Sequence, residues 1–275
     1  MRSRRLLSAW TAMVLVQASA PDITFKCSHM PEVCTNMCWA MRCASPTFPQ
    51  TLTWDDTDMT YAFDERVTAA GCKIADNKCQ ERPDEPGYLG GMFVMCSIYP
   101  FVTTRESAQS NGHAVSRCVR VSRNVLKESM LRRLYRRWKE QGYRSHRLAV
   151  GIANPGAKGV NYCLNEPCIN DGFQVQDGMI KVDRVDKTYG RRSEPPPSFR
   201  FFKTAAGVVV ASMEKQEMGA NFTRTAYDEE DEEGDGVLRG LDSWVEEVDG
   251  GQVRLVSDVM LEEVTALQAA QAAQY

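Results

Sequence analysis

Histidine is scarce in this 275-residue chain, with only His29, His113 and His146. Imidazole is the side chain that titrates near neutrality and a frequent zinc ligand, so its scarcity argues against a histidine-built metal centre. A Cys34-x3-Cys38 pair could clasp zinc, but no second pair at ligand spacing accompanies it. Long apolar runs are also missing. After the N-terminal stretch no segment approaches the roughly 18 uninterrupted apolar residues of a membrane-spanning helix. Cysteine is absent beyond Cys168, and no internal repeat is visible, which argues against solenoids and propellers.

The N-terminus reads as a secretory signal over residues 1–20. Arg2, Arg4 and Arg5 precede the apolar stretch Leu6 to Val16, and small residues follow, with cleavage preferred after Ala18. Export then predicts a soluble, extracellular protein with no membrane association after cleavage. The ten cysteines agree with it: Cys27, Cys34, Cys38, Cys43, Cys72, Cys79, Cys96, Cys118, Cys163 and Cys168. An even number behind a signal peptide implies a disulfide framework, whose connectivity the sequence leaves open.

A net charge of −3 conceals a strong asymmetry. Thr103 to Val150 carries twelve Lys/Arg against three Glu, whereas Ser212 to Tyr275 carries sixteen Asp/Glu against four Lys/Arg. The basic excess concentrates on Asn124 to Gly142, which is expected to be a helix. Val125, Met130, Leu131, Leu134, Tyr135 and Trp138 form its apolar face, and Arg132, Arg133, Arg136 and Arg137 the other. That basic face has three readings: a nucleic-acid backbone site, a partner for the acidic run Asp228 to Asp235, or a solvated surface.

Pro31 to Arg42 is expected to be a second, cysteine-pinned helix. Strands are expected at Ile23-Thr24-Phe25, Leu52-Thr53-Trp54, Met92 to Tyr99, Leu148 to Ile152 and Val175 to Asp183. Phe199 to Thr204 and Val208 to Ala211 should flank an Ala206-Gly207 turn. An Ala/Gln-rich helix is expected over Asp258 to Ala273. The fold class is therefore α+β: a small disulfide-stapled sheet with packed helices, a C-terminal β extension and an acidic tail. The expected divisions are 21–172 for the main domain, 173–212 for the β-rich extension and 213–275 for a partly disordered tail with a terminal helix.

One constellation carries a family resemblance. Cys96-Ser97-Ile98-Tyr99-Pro100-Phe101 is followed by Glu106, then Arg117-Cys118-Val119 and Asn124. The order and spacing resemble the NucA/NucB deoxyribonucleases. Their signature runs Asp-Glu-aromatic-Pro, a Glu-Gly-Gly six residues after the proline, an Arg-(Tyr/Cys)-Val, and an Asn seven residues after that arginine. The upstream stretches around Cys27, Cys34-Thr35-Asn36-Met37-Cys38, Trp54-Asp55 and Gly71-Cys72 look like a cysteine-rich fungal version of the family.

The resemblance implies a ββα-metal-like nuclease core and a secreted endonuclease that hydrolyses DNA phosphodiesters with Mg²⁺ or Mn²⁺. By residue, it implies Glu106 and Arg117 as catalytic groups and Asn124 with Glu106 as metal ligands. Arg105, Arg132, Arg133, Arg136 and Arg137 would bind DNA or another polyanion. Each has a plainer reading: Glu106 and Arg117 as ion pairs, Asn124 as a helix N-cap. Tyr99 reads as core, and His113 and His146 as surface residues.

The departures bear on activity. Ser97 and Ile98 stand where the family carries its acidic pair, and Ser107 and Ala108 where it carries two glycines. Serine is no base at neutral pH and isoleucine cannot bind a hard cation, so hydrolysis is expected to be weak or lost. The alternative is an inactive secreted binding protein, a pseudoenzyme on the nuclease scaffold.

Overall fold

The computed structural model describes residues 21–56, 60–73, 79, 93–108, 114–176, 179–180, 195–227, 246–248 and 251–273. Residues 1–20, His113 and the acidic run at 228–235 lie outside the described residues.

Two sheets sandwich a buried helix. In the larger sheet β1 (Ile23–Lys26) runs parallel to the second half of β5 (Ser145–Ala153), and β2 (Thr51–Asp55) pairs antiparallel with the first half. The smaller sheet has the order β3 (Met95–Tyr99), β4 (Val115–Val119), β6 (Gln174–Gln176), β7 (Met179–Ile180). Between them lies α1 (Pro31–Arg42), begun by Pro31 and buried along ten of its twelve residues. Thus β3, β4 and the following α3 (Val121–Glu140) form a ββα unit, and the α+β expectation holds.

All ten cysteines are paired: Cys27–Cys34, Cys38–Cys163, Cys43–Cys168, Cys72–Cys96 and Cys79–Cys118. Two of these bridges tie successive turns of α1 to residues 163–168, and two others anchor the cross-strand neighbours Cys96 and Cys118. They fix α1 and the β3–β4 pair, which carry Asn36, Ser97 and Arg117.

The C-terminal third continues the larger sheet. β9 (Val209–Ser212) pairs with β5, then β8 (Arg200–Thr204), β12 (Gly251–Val264) and β10 (Asn221–Tyr227) follow, with β11 (Glu246–Val248) on β12. Gly207, at φ +78°, makes the expected turn between β8 and β9. The helix expected over Asp258 to Ala273 is confined to α4 (Ala266–Ala272), and Asp258 to Val264 is strand. Thr265 forms a capping box with Gln268 there, which starts the helix late. α4 packs on the Pro155-Gly156 turn: a Cβ on Gly156 would lie 2.8 Å from Ala270 Cα.

α3 also differs in detail from its expected face. It begins at Val121 with Arg120 as N-cap, so Asn124 is inside the helix rather than capping it. Leu126 and Lys127 face inward while Val125 is exposed. Starting one turn earlier leaves the apolar stripe of Met130, Leu131, Leu134, Tyr135 and Trp138 unchanged. Tyr135 and Trp138 pack on Trp54 of β2, at ring-centroid distances of 5.3 and 5.5 Å.

Candidate active site

The register of β3 on β4 sets Ser97 opposite Arg117 and Ile98 opposite Ser116. Because side chains alternate along a strand, the two positions of the family's acidic pair leave the sheet on opposite faces. Ile98 packs with Ala70, Cys72 and Ala114. Ser97 faces the helices: Asn36 Nδ2 of α1 donates to its carbonyl at 2.7 Å, and Lys127 Nζ of α3 lies 3.4 Å from its hydroxyl.

Lys127 is the unexpected member. Its side chain is 2% exposed, its ammonium pairs with Glu128 at 2.9 Å, and it lies 5.8 Å from the Phe101 ring centroid. Asn124 stands one turn earlier on the same helix face. It is 7% exposed, and its Oδ1 is buried with no hydrogen-bond partner among the described residues. Both residues line a cleft of about 510 Å³ at the free edge of β3, walled by Met95, Ile98, Phe101 and Val67.

Arg117 is held elsewhere through its two Nη atoms, while its buried Nε has no hydrogen-bond partner among the described residues. Its Nη1 and Nη2 donate to Asp171 at 2.8 and 2.6 Å, and Nη1 also donates to Gln174 Oε1 at 3.1 Å. Gln174 Nε2 in turn donates to Asn36 Oδ1 at 2.9 Å, so a polar chain runs from Asp171 to the backbone of Ser97. Burial raises the Asp171 carboxyl, but Arg117, the Phe173 N–H and Asn161 outweigh it and leave the group below the usual carboxylate range. Asp171 therefore stays ionised and is a poor general base, while it occupies the planar fork that would bind phosphate.

Glu106 sits on a 3₁₀ turn (Arg105–Ala108) and accepts the Thr53 N–H at 2.8 Å, tying that turn to β2. Burial first, and the Glu106 charge second, push the Tyr99 hydroxyl well above its ordinary pKa. Tyr99 is fully buried and donates to the Pro49 carbonyl at 2.7 Å, so it is core. Glu106, Arg117 and Asn124 thus have separate surroundings: a β2 amide, the Asp171 carboxylate, and no polar partner among the described residues.

The donor set fits a divalent cation poorly. Asn124 Oδ1 offers one neutral oxygen, whereas the Ser97 hydroxyl faces an ammonium and Ile98 is hydrocarbon. Mg²⁺ and Mn²⁺ favour carboxylate and other hard oxygen donors. Among the described residues no cluster of three or more His, Cys, Asp or Glu could hold a metal ion.

The basic residues divide into two groups. Arg105 pairs with Asp55 at 2.7 Å, Arg144 and Lys139 pair with Asp56, and Arg120 lies 3.6 Å from Glu32. Arg132, Arg136 and Arg137 are exposed on α3 and carry no ion pair among the described residues; Arg133 is half-buried. His146 stacks on Trp138 at 4.5 Å, a packing role. Sequence reading missed Lys127, Asp171, Asn36 and Gln174. The spacing of Asn124 and Lys127 was the only visible signal, and lysine reads as surface by default.

Five disulfides, with no helix among the described residues long and apolar enough to cross a membrane, are consistent with an extracellular protein. The family model of deoxyribonuclease NucA/NucB matches residues 37–144, from within α1 to just past α3. No curated protein and no solved structure matches the chain. The match covers Ser97, Glu106, Arg117, Asn124 and Lys127 and stops short of Asp171. By that match, around the ββα unit, the chain carries a nuclease domain of the NucA/NucB family.

Proposed function

We propose that this is a secreted, DNase-like protein in which metal-assisted hydrolysis of DNA phosphodiesters is weak or lost, and which acts by binding DNA or another polyanion. One observation carries the reading: a lysine ammonium rather than a carboxylate faces the β3 position from which a base would act. Hydrolysis of a phosphodiester needs a base for the water and a cation for the charge gathering on phosphorus. Lys127 holds positive charge at Ser97 but accepts no proton while ionised. Loss of a positioned base typically costs about 10²–10⁴-fold in rate.

Arg132, Arg136 and Arg137 support binding, because exposed guanidinium groups on one helix, without an ion pair among the described residues, neutralise phosphates and release counterions. Salt-dependent gel shift of duplex DNA tests it. The wild type should bind with a steep salt dependence, and R132E/R136E/R137E should flatten log K against log[salt] by roughly 3 units. Equal affinity and slope in the two proteins would overturn the reading. An extracellular binding protein with no nucleic-acid partner would then remain, recognised by the absence of any shift.

A further inference from the structure

We propose that the Lys127 ammonium takes the place of a divalent cation in this domain, so that the cleft at the β3 edge carries its own fixed positive charge and excludes Mg²⁺ and Mn²⁺. Three observations lead there. Lys127 is 2% exposed, yet it is turned towards the Ser97 hydroxyl rather than towards water. Lysine ordinarily keeps its ammonium in solvent, and burial of that charge is costly unless the surroundings stabilise it. Here the Ser97 oxygen, the Phe101 ring and the Glu128 carboxylate stabilise it. Asn124, one turn away, presents in the same cleft a buried oxygen without a donor among the described residues.

A divalent cation near Asn124 Oδ1 would share this space with the ammonium. Like charges at short range repel, and the more strongly where protein displaces water. The only nearby carboxylate of α3, Glu128, is already spent on Lys127. Asn124 therefore has one neutral oxygen to offer against a fixed positive charge. The inference rests on the weakened-hydrolase reading and extends it: the missing acid and the buried lysine are one exchange, a carboxylate-plus-metal pair for an alcohol-plus-ammonium pair.

Mn²⁺ titration of the full secreted chain without DNA, followed by electron paramagnetic resonance of the free ion, tests this separately from polyanion binding. The wild type should show no saturable site. S97D should show none either, since the new carboxylate would pair with Lys127, and its thermal midpoint should rise. S97D/K127Q should gain Mn²⁺ affinity by about tenfold or more, the scale on which a ligand's supporting partner alters metal binding. Where S97D/K127Q fails to fold, K127Q alone replaces it: it removes the ammonium from the cleft, frees Glu128 and should bind Mn²⁺ more tightly than the wild type. A stoichiometric Mn²⁺ site in the wild type that N124A abolishes would overturn the proposal. So would a folded S97D/K127Q with no gain.

Discussion

Removing the paired bridges of α1 should reveal strong non-additivity. Cys38–Cys163 and Cys43–Cys168 each span 125 residues, but they run side by side between the same two segments. With one intact, the other closes only the small ring formed by the five-residue spans 38–43 and 163–168. In the chain-entropy picture a ring of roughly ten residues contributes about 2.5–3 kcal/mol, whereas a loop of more than 100 residues contributes about 5 kcal/mol. Deleting either bridge as C38A/C163A or C43A/C168A should therefore cost about 3 kcal/mol. Deleting both also releases the long loop and should cost about 8 kcal/mol, well above twice the single cost. Urea unfolding under non-reducing conditions, with wild type and three variants in parallel, reads these values as midpoint shifts at constant slope. Additive losses would refute the reasoning, as would a single deletion as damaging as the double one. The clamp matters for the site because residues 163–168 lead directly into Asp171, which holds Arg117.

Two further outcomes follow from the polar chain behind Ser97 and from the core. D171N should destabilise the fold by about 2–3 kcal/mol, because Arg117, 6% exposed, loses its charged partner. The Asp171 carboxyl sits below its ordinary pKa when folded, so its contribution is complete above the ordinary carboxylate range and is lost as pH falls through the lowered value. Thermal midpoints from pH 2.5 to 6 should therefore fall less steeply on acidification in D171N than in the wild type. Y99F should cost about 0.5–1.5 kcal/mol by removing the hydrogen bond from the buried Tyr99 hydroxyl to the Pro49 carbonyl, measured by the same urea titration.

The parts of the fold set by local pattern could be read from the sequence. Alternation in Leu52-Thr53-Trp54 predicts β2, and the stripe from Met130 to Trp138 predicts the buried side of α3. Ala206-Gly207 marks the β8–β9 turn because glycine tolerates φ +78°. What depends on distant partners could not be read. Disulfide pairing joins residues 125 apart, and Asp258 to Val264 is strand because β8 and β10 flank it, although the Ala/Gln-rich residues that follow form α4. At the site, the offsets of Glu106, Arg117 and Asn124 were legible as motif positions. Their company was not: Asp171 reaches Arg117 across 54 residues, and Lys127 is buried only because Ser97, Phe101 and Glu128 receive it.

An ammonium and an alcohol in place of an acid and a cation should leave phosphodiester hydrolysis weak or lost. Conversion of supercoiled plasmid to nicked and linear forms, with Mg²⁺ or Mn²⁺ and with E106A beside the wild type, tests it most directly. Wild-type cleavage should be depressed by about 10²–10⁴-fold from that of a domain with its base, down to the level of E106A. Brisk metal-dependent cleavage by the wild type, abolished in E106A, would contradict it.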